Sequence, residues 1–210
     1  MLGGVVAVDL PVTRMERVAA GLNYLFLAGM LVAIDTVLTA AMVMQFAKGE
    51  LPCPLCLLQR VALFGVGFAV MQNFRAFSHR NTGIGLIFAL LLLIVSVRQT
   101  LLDIVPRPDH AYVGSAVFGL HMPVWSVIIA TVLIAAQAIA LALFGGERRV
   151  ARLHVEAFPA LARVADFAAA YLIVLALINL GAVVLQCGFG ACHTDGYKLV
   201  RLGLDGLWAP

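Results

Sequence analysis

Apolar residues fall into five long blocks, at about 19–46, 57–74, 83–105, 123–144 and 166–186, separated by short polar or Pro- and Gly-bearing stretches. Each block is close to the ~20 residues that an α-helix needs to cross a bilayer. The third contains an unbroken run from Ala89 through Leu90, Leu91, Leu92, Leu93 and Ile94 to Val95. None alternates at period two over about ten residues, as the strands of a membrane barrel would. The pattern predicts an all-α integral membrane protein. The first block is interrupted by Asp35, is too long for a signal-peptide core, and is followed by no small-residue cleavage site before Cys53, so it is read as a retained span.

Composition agrees. Of 210 residues, 63% are apolar and 12% charged, against about 25% charged in a soluble domain. The mean hydropathy is +1.03. The net charge of +3 reflects topology rather than nucleic-acid binding. With the N-terminus in the cytoplasm, Arg14, Arg17, Arg75, Arg80, Arg148, Arg149, Arg152 and Arg163 lie inside, and only Lys48, Arg107, Lys198 and Arg201 lie outside. Cytoplasmic loops carry the excess of Lys and Arg, so this orientation is expected, with the C-terminal tail periplasmic. All four cysteines then lie on the outer side of a bacterial inner membrane, where disulfides persist.

The loops are short. The segment 106–122 holds Pro106, Pro108, Asp109 and His110, then an apolar stretch from Tyr112 to Leu120 that is too short to span and is expected to lie at the interface. The stretch 145–165 reads as a cytoplasmic linker with a short amphipathic helix, and 187–210 as a Gly-rich outer tail. Asp35 should face protein, paired with Arg60 or Arg98 or bonded to the hydroxyl of Thr36 or Thr39. Asn179 and Gln186 suggest interhelical hydrogen bonds. Trp125 and Trp208 suggest interface anchors.

Candidate chemistry concentrates at Pro52-Cys53-Pro54-Leu55-Cys56, followed by Gln59 and Arg60. The prolines stiffen the approach to the second span, and Cys56 falls in its first turn, where unpaired backbone N–H groups and the helix dipole favour negative charge. Arg60, four residues on, shares a helix face with Cys56. Both effects favour a reactive thiolate. An arginine inside an apolar helix is a functional hypothesis in itself, with the Cys56 thiolate or a quinone carbonyl as its partner. The plain alternatives are a zinc site completed by Cys187, Cys192 and His193, and an Arg60 that merely snorkels to the interface.

At these residues the chain resembles the bacterial disulfide-bond formation protein B (DsbB) family. The resemblance runs from Gln45 through the Cys53–Cys56 motif to Phe64, with further matches at Arg98 and from Gly119 through His121 and Pro123 to Trp125. It implies a four-helix core over 1–144, to which 166–186 adds a fifth transmembrane helix. It also implies that Cys53 and Cys56 form a redox disulfide beside ubiquinone or menaquinone. Cys56 would be the quinone-proximal thiolate, Arg60 its charge partner, Gln59 a pocket residue, and Arg98 a contact of quinone or headgroups. The implied partner is a periplasmic thioredoxin-fold protein of the DsbA type, and the implied activity is thiol:quinone oxidoreduction.

Two departures from the family pattern matter. The segment 106–122 lacks the second cysteine pair expected there, and the extra span leads instead to Cys187-Gly-Phe-Gly-Ala-Cys192. The tail pair is expected to replace the missing pair and relay electrons to Cys53 and Cys56, the alternative being a structural disulfide. Rival readings of the chain are a membrane assembly or anchoring subunit, and an enzyme of the vitamin K epoxide reductase type. The latter usually places its quinone-facing pair late in the chain.

Overall fold

A computed structural model describes residues 12–104, 116–144, 153–188 and 197, apart from the side chains of Asp103 and Phe144. It contains five long helices: α1 (Arg14–Ala47), α2 (Pro54–Arg75), α3 (His79–Ile104), α4 (Met122–Phe144) and α5 (Pro159–Cys187). All five are long and apolar enough to cross a membrane. The protein is therefore an integral membrane helical bundle, and no strand is present among the described residues.

The helices begin earlier than hydropathy predicts because polar and proline caps extend them past the apolar blocks. α1 starts at a capping box, in which the Thr13 hydroxyl accepts from the Glu16 backbone N–H and the Glu16 carboxylate accepts from that of Thr13. α2 starts with Pro54 in its first turn, where a fixed φ and a missing N–H cost nothing. α5 starts at Pro159, seven residues ahead of the expected span, so the linker over 145–165 is shorter than hydropathy suggests. Ahead of α5 the described part of this stretch holds one 3-10 turn, Val155–Ala157, and residues 145–152, on which part of the expected amphipathic helix falls, lie outside the described residues.

α2 packs on α3 and α3 on α4, while α1 contacts α2, α5 lies against α1, and α5 also reaches α2. The close approach of α5 to α2 is made at Gly67, where an added Cβ would lie 2.6 Å from Leu172 Cδ2. At the N-terminal end of α1, the Tyr24 hydroxyl donates to the Leu153 carbonyl at 2.8 Å, and its ring meets Phe74 and Phe158 at centroid distances of 6.2 and 6.1 Å. These contacts bind the entry to the fifth helix onto the first two.

Most of the stretch before α4 expected at the interface lies outside the described residues. Its described part is a tight turn rather than a helix. Val117 and Leu120 exchange backbone hydrogen bonds of 2.9 and 3.1 Å around Phe118 and Gly119, both with positive φ. Trp125 fixes this turn to α4 by donating Nε1–H to the Val117 carbonyl at 2.9 Å.

Candidate functional site

Gln45 near the end of α1, the first turns of α2, Gln99 on α3, Ser126 on α4 and the last turns of α5 are joined by hydrogen bonds at one end of the bundle. Cys53 is the N-cap of α2, and its sulfur accepts from the Cys56 backbone N–H at 3.2 Å. Cys53 is buried and Cys56 half-buried, and both are free thiols. The Cys53 thiol, just ahead of the span, is held above the ordinary thiol range by its side-chain hydrogen bond with Cys56 and by burial.

One side chain holds both sulfurs. Gln99 Nε2 donates to Cys56 Sγ at 3.4 Å and to Cys53 Sγ at 3.5 Å. Its carbonyl oxygen accepts from Gln59 Nε2 at 2.9 Å, and the Gln59 carbonyl oxygen accepts from the Ser126 hydroxyl at 3.2 Å. A polar chain thus crosses α4, α2 and α3 and ends on the two thiols. A primary amide has two donors and one carbonyl, so Gln59 and Gln99 are fixed in orientation by this order of donors and acceptors.

Arg60 is buried one turn deeper. Its Nη1 donates to Gln45 Oε1 and, at 3.2 Å, to Asn179 Oδ1, while Nη2 donates to the Ala41 carbonyl at 3.1 Å. The guanidinium therefore ties α2 to α1 and α5, and the side-chain amide that donates to both sulfurs is that of Gln99. Gln45 Nε2 in turn donates to the Tyr197 hydroxyl at 3.2 Å. Asn179 makes the interhelical bond expected of it, and Gln186 Nε2 donates to the Pro52 carbonyl at 3.0 Å, immediately ahead of Cys53.

The structure brings Cys53, Cys56 and Gln59 together and sets Arg60 beneath them. Arg98 is exposed and stands apart from them. Gln99, one residue on, supplies the α3 contact. Sequence reasoning missed Gln99 and Ser126, whose only signal was a polar side chain inside an apolar helix. Asp35 does face protein, yet it pairs with neither Arg60 nor Arg98. Thr39 bonds the Asp35 backbone carbonyl rather than the carboxylate, and Thr36 bonds the Val32 carbonyl. Cys187 is buried and disulfide-bonded at the end of α5. Cys192 and His193 lie outside the described residues.

Compared with known proteins, residues 22–111 match the family model described as Disulfide bond formation protein DsbB. This segment holds Cys53, Cys56, Gln59, Arg60 and Gln99. The family is one of membrane oxidoreductases of disulfide-bond formation, in agreement with a multi-pass membrane protein. No curated protein and no solved structure gives a significant match.

Proposed function

We propose that this chain, a DsbB family protein over residues 22–111, oxidises a dithiol partner outside a bacterial inner membrane and passes the electrons to ubiquinone or menaquinone. The observation that carries this reading is the amide of Gln99, which holds two free thiols together at the mouth of α2. A purely structural pair would not need a buried donor shared by both sulfurs.

The chemistry is two exchanges. A thiolate of the partner attacks the Cys53–Cys56 disulfide and frees one of the two cysteines, and the partner's second thiolate then breaks the mixed disulfide, leaving the partner oxidised and both cysteines reduced. Reoxidation of Cys53 and Cys56 then releases two electrons and two protons. A bound quinone supplies the two-electron, two-proton acceptor.

The residues present fit such a group. Arg60 Nε makes no hydrogen bond to a described residue, and half-buried Cys56 opens beside it on the same helix face. Arg60 and Gln59 would hold a quinone carbonyl by donating to it. Gln99 keeps both sulfurs in place and stabilises charge on either. The partner would be a thioredoxin-fold protein of the DsbA type, with the N-terminus of this chain cytoplasmic and its tail periplasmic. The Lys and Arg distribution supports that orientation.

The tail pair, Cys187 and Cys192, would act as the relay between partner and Cys53–Cys56. The disulfide and burial of Cys187 favour a second reading, in which the pair closes the tail and the partner meets Cys53 directly. The test is quinone reduction by purified protein with a reduced DsbA-type donor, for wild type and Cys187→Ser/Cys192→Ser. Loss of donor-driven turnover with dithiothreitol-driven turnover retained assigns the relay. Equal turnover assigns the structural role. Absence of turnover with every thiol donor defeats the oxidoreductase reading and favours an assembly or anchoring subunit.

A further inference from the structure

A second polar site lies away from the cysteines, on the seam between α1 and α5. Val32, Asp35, Thr36, Thr39, Phe167 and Tyr171 line part of a groove of about 530 Å3. Asp35 is only 5% exposed, and its Oδ1 is buried with no hydrogen-bond partner among the described residues. An unpartnered buried carboxyl in a membrane helix is costly, and hydrocarbon tails offer it nothing. The site calls for a hydrogen-bond donor that the described residues do not supply.

The neighbouring hydroxyls sharpen that demand. Thr36 donates to the Val32 carbonyl at 2.8 Å and Thr39 to the Asp35 carbonyl at 2.6 Å. With the Thr39 hydrogen committed, the 2.9 Å contact between Thr39 and Tyr171 has the tyrosine as donor. All three hydroxyl hydrogens are in use, so the groove floor presents oxygen lone pairs. A ligand bearing hydroxyls satisfies it, and one bearing only carbonyls finds no donor among these hydroxyls.

Depth narrows the ligand further. Asp35 lies about 12 residues before the end of α1, roughly 18 Å along the axis, which places it near the middle of a hydrocarbon core about 30 Å thick. Glycerolipid headgroups stay at the interface and do not reach it. A hydroxylated aromatic ring on an apolar tail does, and the stacked rings of Phe167 and Tyr171, 6.4 Å apart, offer an aromatic wall.

We propose that the α1–α5 groove binds the hydroquinone form of a lipophilic quinone, with Asp35 accepting from a ring hydroxyl, and selects it over the oxidised form. The ligand class rests on the quinone-reducing reading above. The groove is a site separate from Cys53 and Cys56, formed by the fifth helix, and suits a product leaving laterally into the bilayer.

The test uses full-length protein in lipid nanodiscs, with a photoreactive short-tailed hydroquinone and its quinone counterpart held anaerobically. The expected result is hydroquinone labelling of peptides containing Thr36–Thr39 and Phe167–Tyr171, half-saturating at about tenfold lower concentration than the quinone. Asp35→Leu should raise the hydroquinone half-saturation about tenfold, by loss of a charge-assisted hydrogen bond. Asp35→Asn, which keeps the volume and adds donors, should bring the two forms to about equal labelling. If Asp35→Leu fails to fold, the Asp35→Asn ratio decides. Labelling elsewhere only, equal labelling by both forms in wild type, or a Thr39→Cys cross-link to a second copy that blocks labelling would each overturn the proposal. Thiol-driven quinone reduction by the same preparation separates the two readings: labelling without turnover sinks the enzyme and keeps the site, and turnover without labelling does the reverse.

Discussion

The side-chain amide of Gln186, at the end of the fifth helix, donates to the carbonyl of Pro52 across 3.0 Å. Pro52 immediately precedes Cys53, so the fifth helix holds the loop that carries the first cysteine of the Cys53–Cys56 pair. Gln186→Leu removes the donor and leaves a buried carbonyl unpaired, at a cost of about 1–3 kcal/mol. The expected outcome is a lower melting temperature together with severalfold faster alkylation of Cys53. Unchanged alkylation would show that the loop is held without the fifth helix.

Gln99→Leu takes away the donor shared by both sulfurs and the acceptor that orients Gln59. Thiol-driven quinone reduction should fall about tenfold, in line with loss of one hydrogen bond to a charged group. Arg98→Ala, at an exposed position on another face of α3, should fall by much less. The reverse ranking in a steady-state assay would return the α3 contact to Arg98.

The pH dependence of labelling tests the pairing of the thiols. Cys53 is held above the ordinary thiol range first by its side-chain hydrogen bond with Cys56 and then by burial. A raised thiol keeps its proton to higher pH, so the reactive thiolate is scarce at pH 8. Cys56→Ala removes the first cause and leaves the second. The alkylation profile of Cys53 should therefore move to lower pH in this variant, read by mass spectrometry across pH 7–10. A profile that stays in place would mean that burial alone sets it.

Gly67→Ala places a methyl group 2.6 Å from Leu172 Cδ2, where α5 packs against α2. The leucine must turn or the helices must part, and overpacking of this kind costs about 1–3 kcal/mol. The expected outcome is a lower melting temperature that a second change, Leu172→Ala, partly restores. Additive losses in the double variant would place the strain elsewhere.

The spans and the cysteine motif were legible in the sequence because both are local: hydropathy sums over neighbours, and Cys53 and Cys56 are three residues apart. Partners across the bundle were not. Arg60 reads as a companion of Cys56 from spacing alone, yet its acceptors, Gln45 and Asn179, lie on α1 and α5. Charge drew attention to Arg98, while about 100° of helix rotation brings its neutral neighbour Gln99 to the sulfurs. Asn179 and Gln186 were recognised as interhelical donors or acceptors, but the distant groups they meet could not be read from their own positions. The start of α5 was hidden for another reason. Arg163 and Asp166 are exposed residues in the first two turns of the helix, and hydropathy counts them against the span.

The capping box at Thr13 has a consequence for the lipid around the protein. By starting α1 at Arg14 it yields a helix of 34 residues, about 51 Å long. A bilayer measures only about 40–45 Å with its headgroups. Such a helix must lean or project, and in thinner membranes it must lean further. Because Gln45 and Arg60 clamp its far end beside the cysteines, bilayer thickness becomes a mechanical input to the geometry of Cys53 and Cys56.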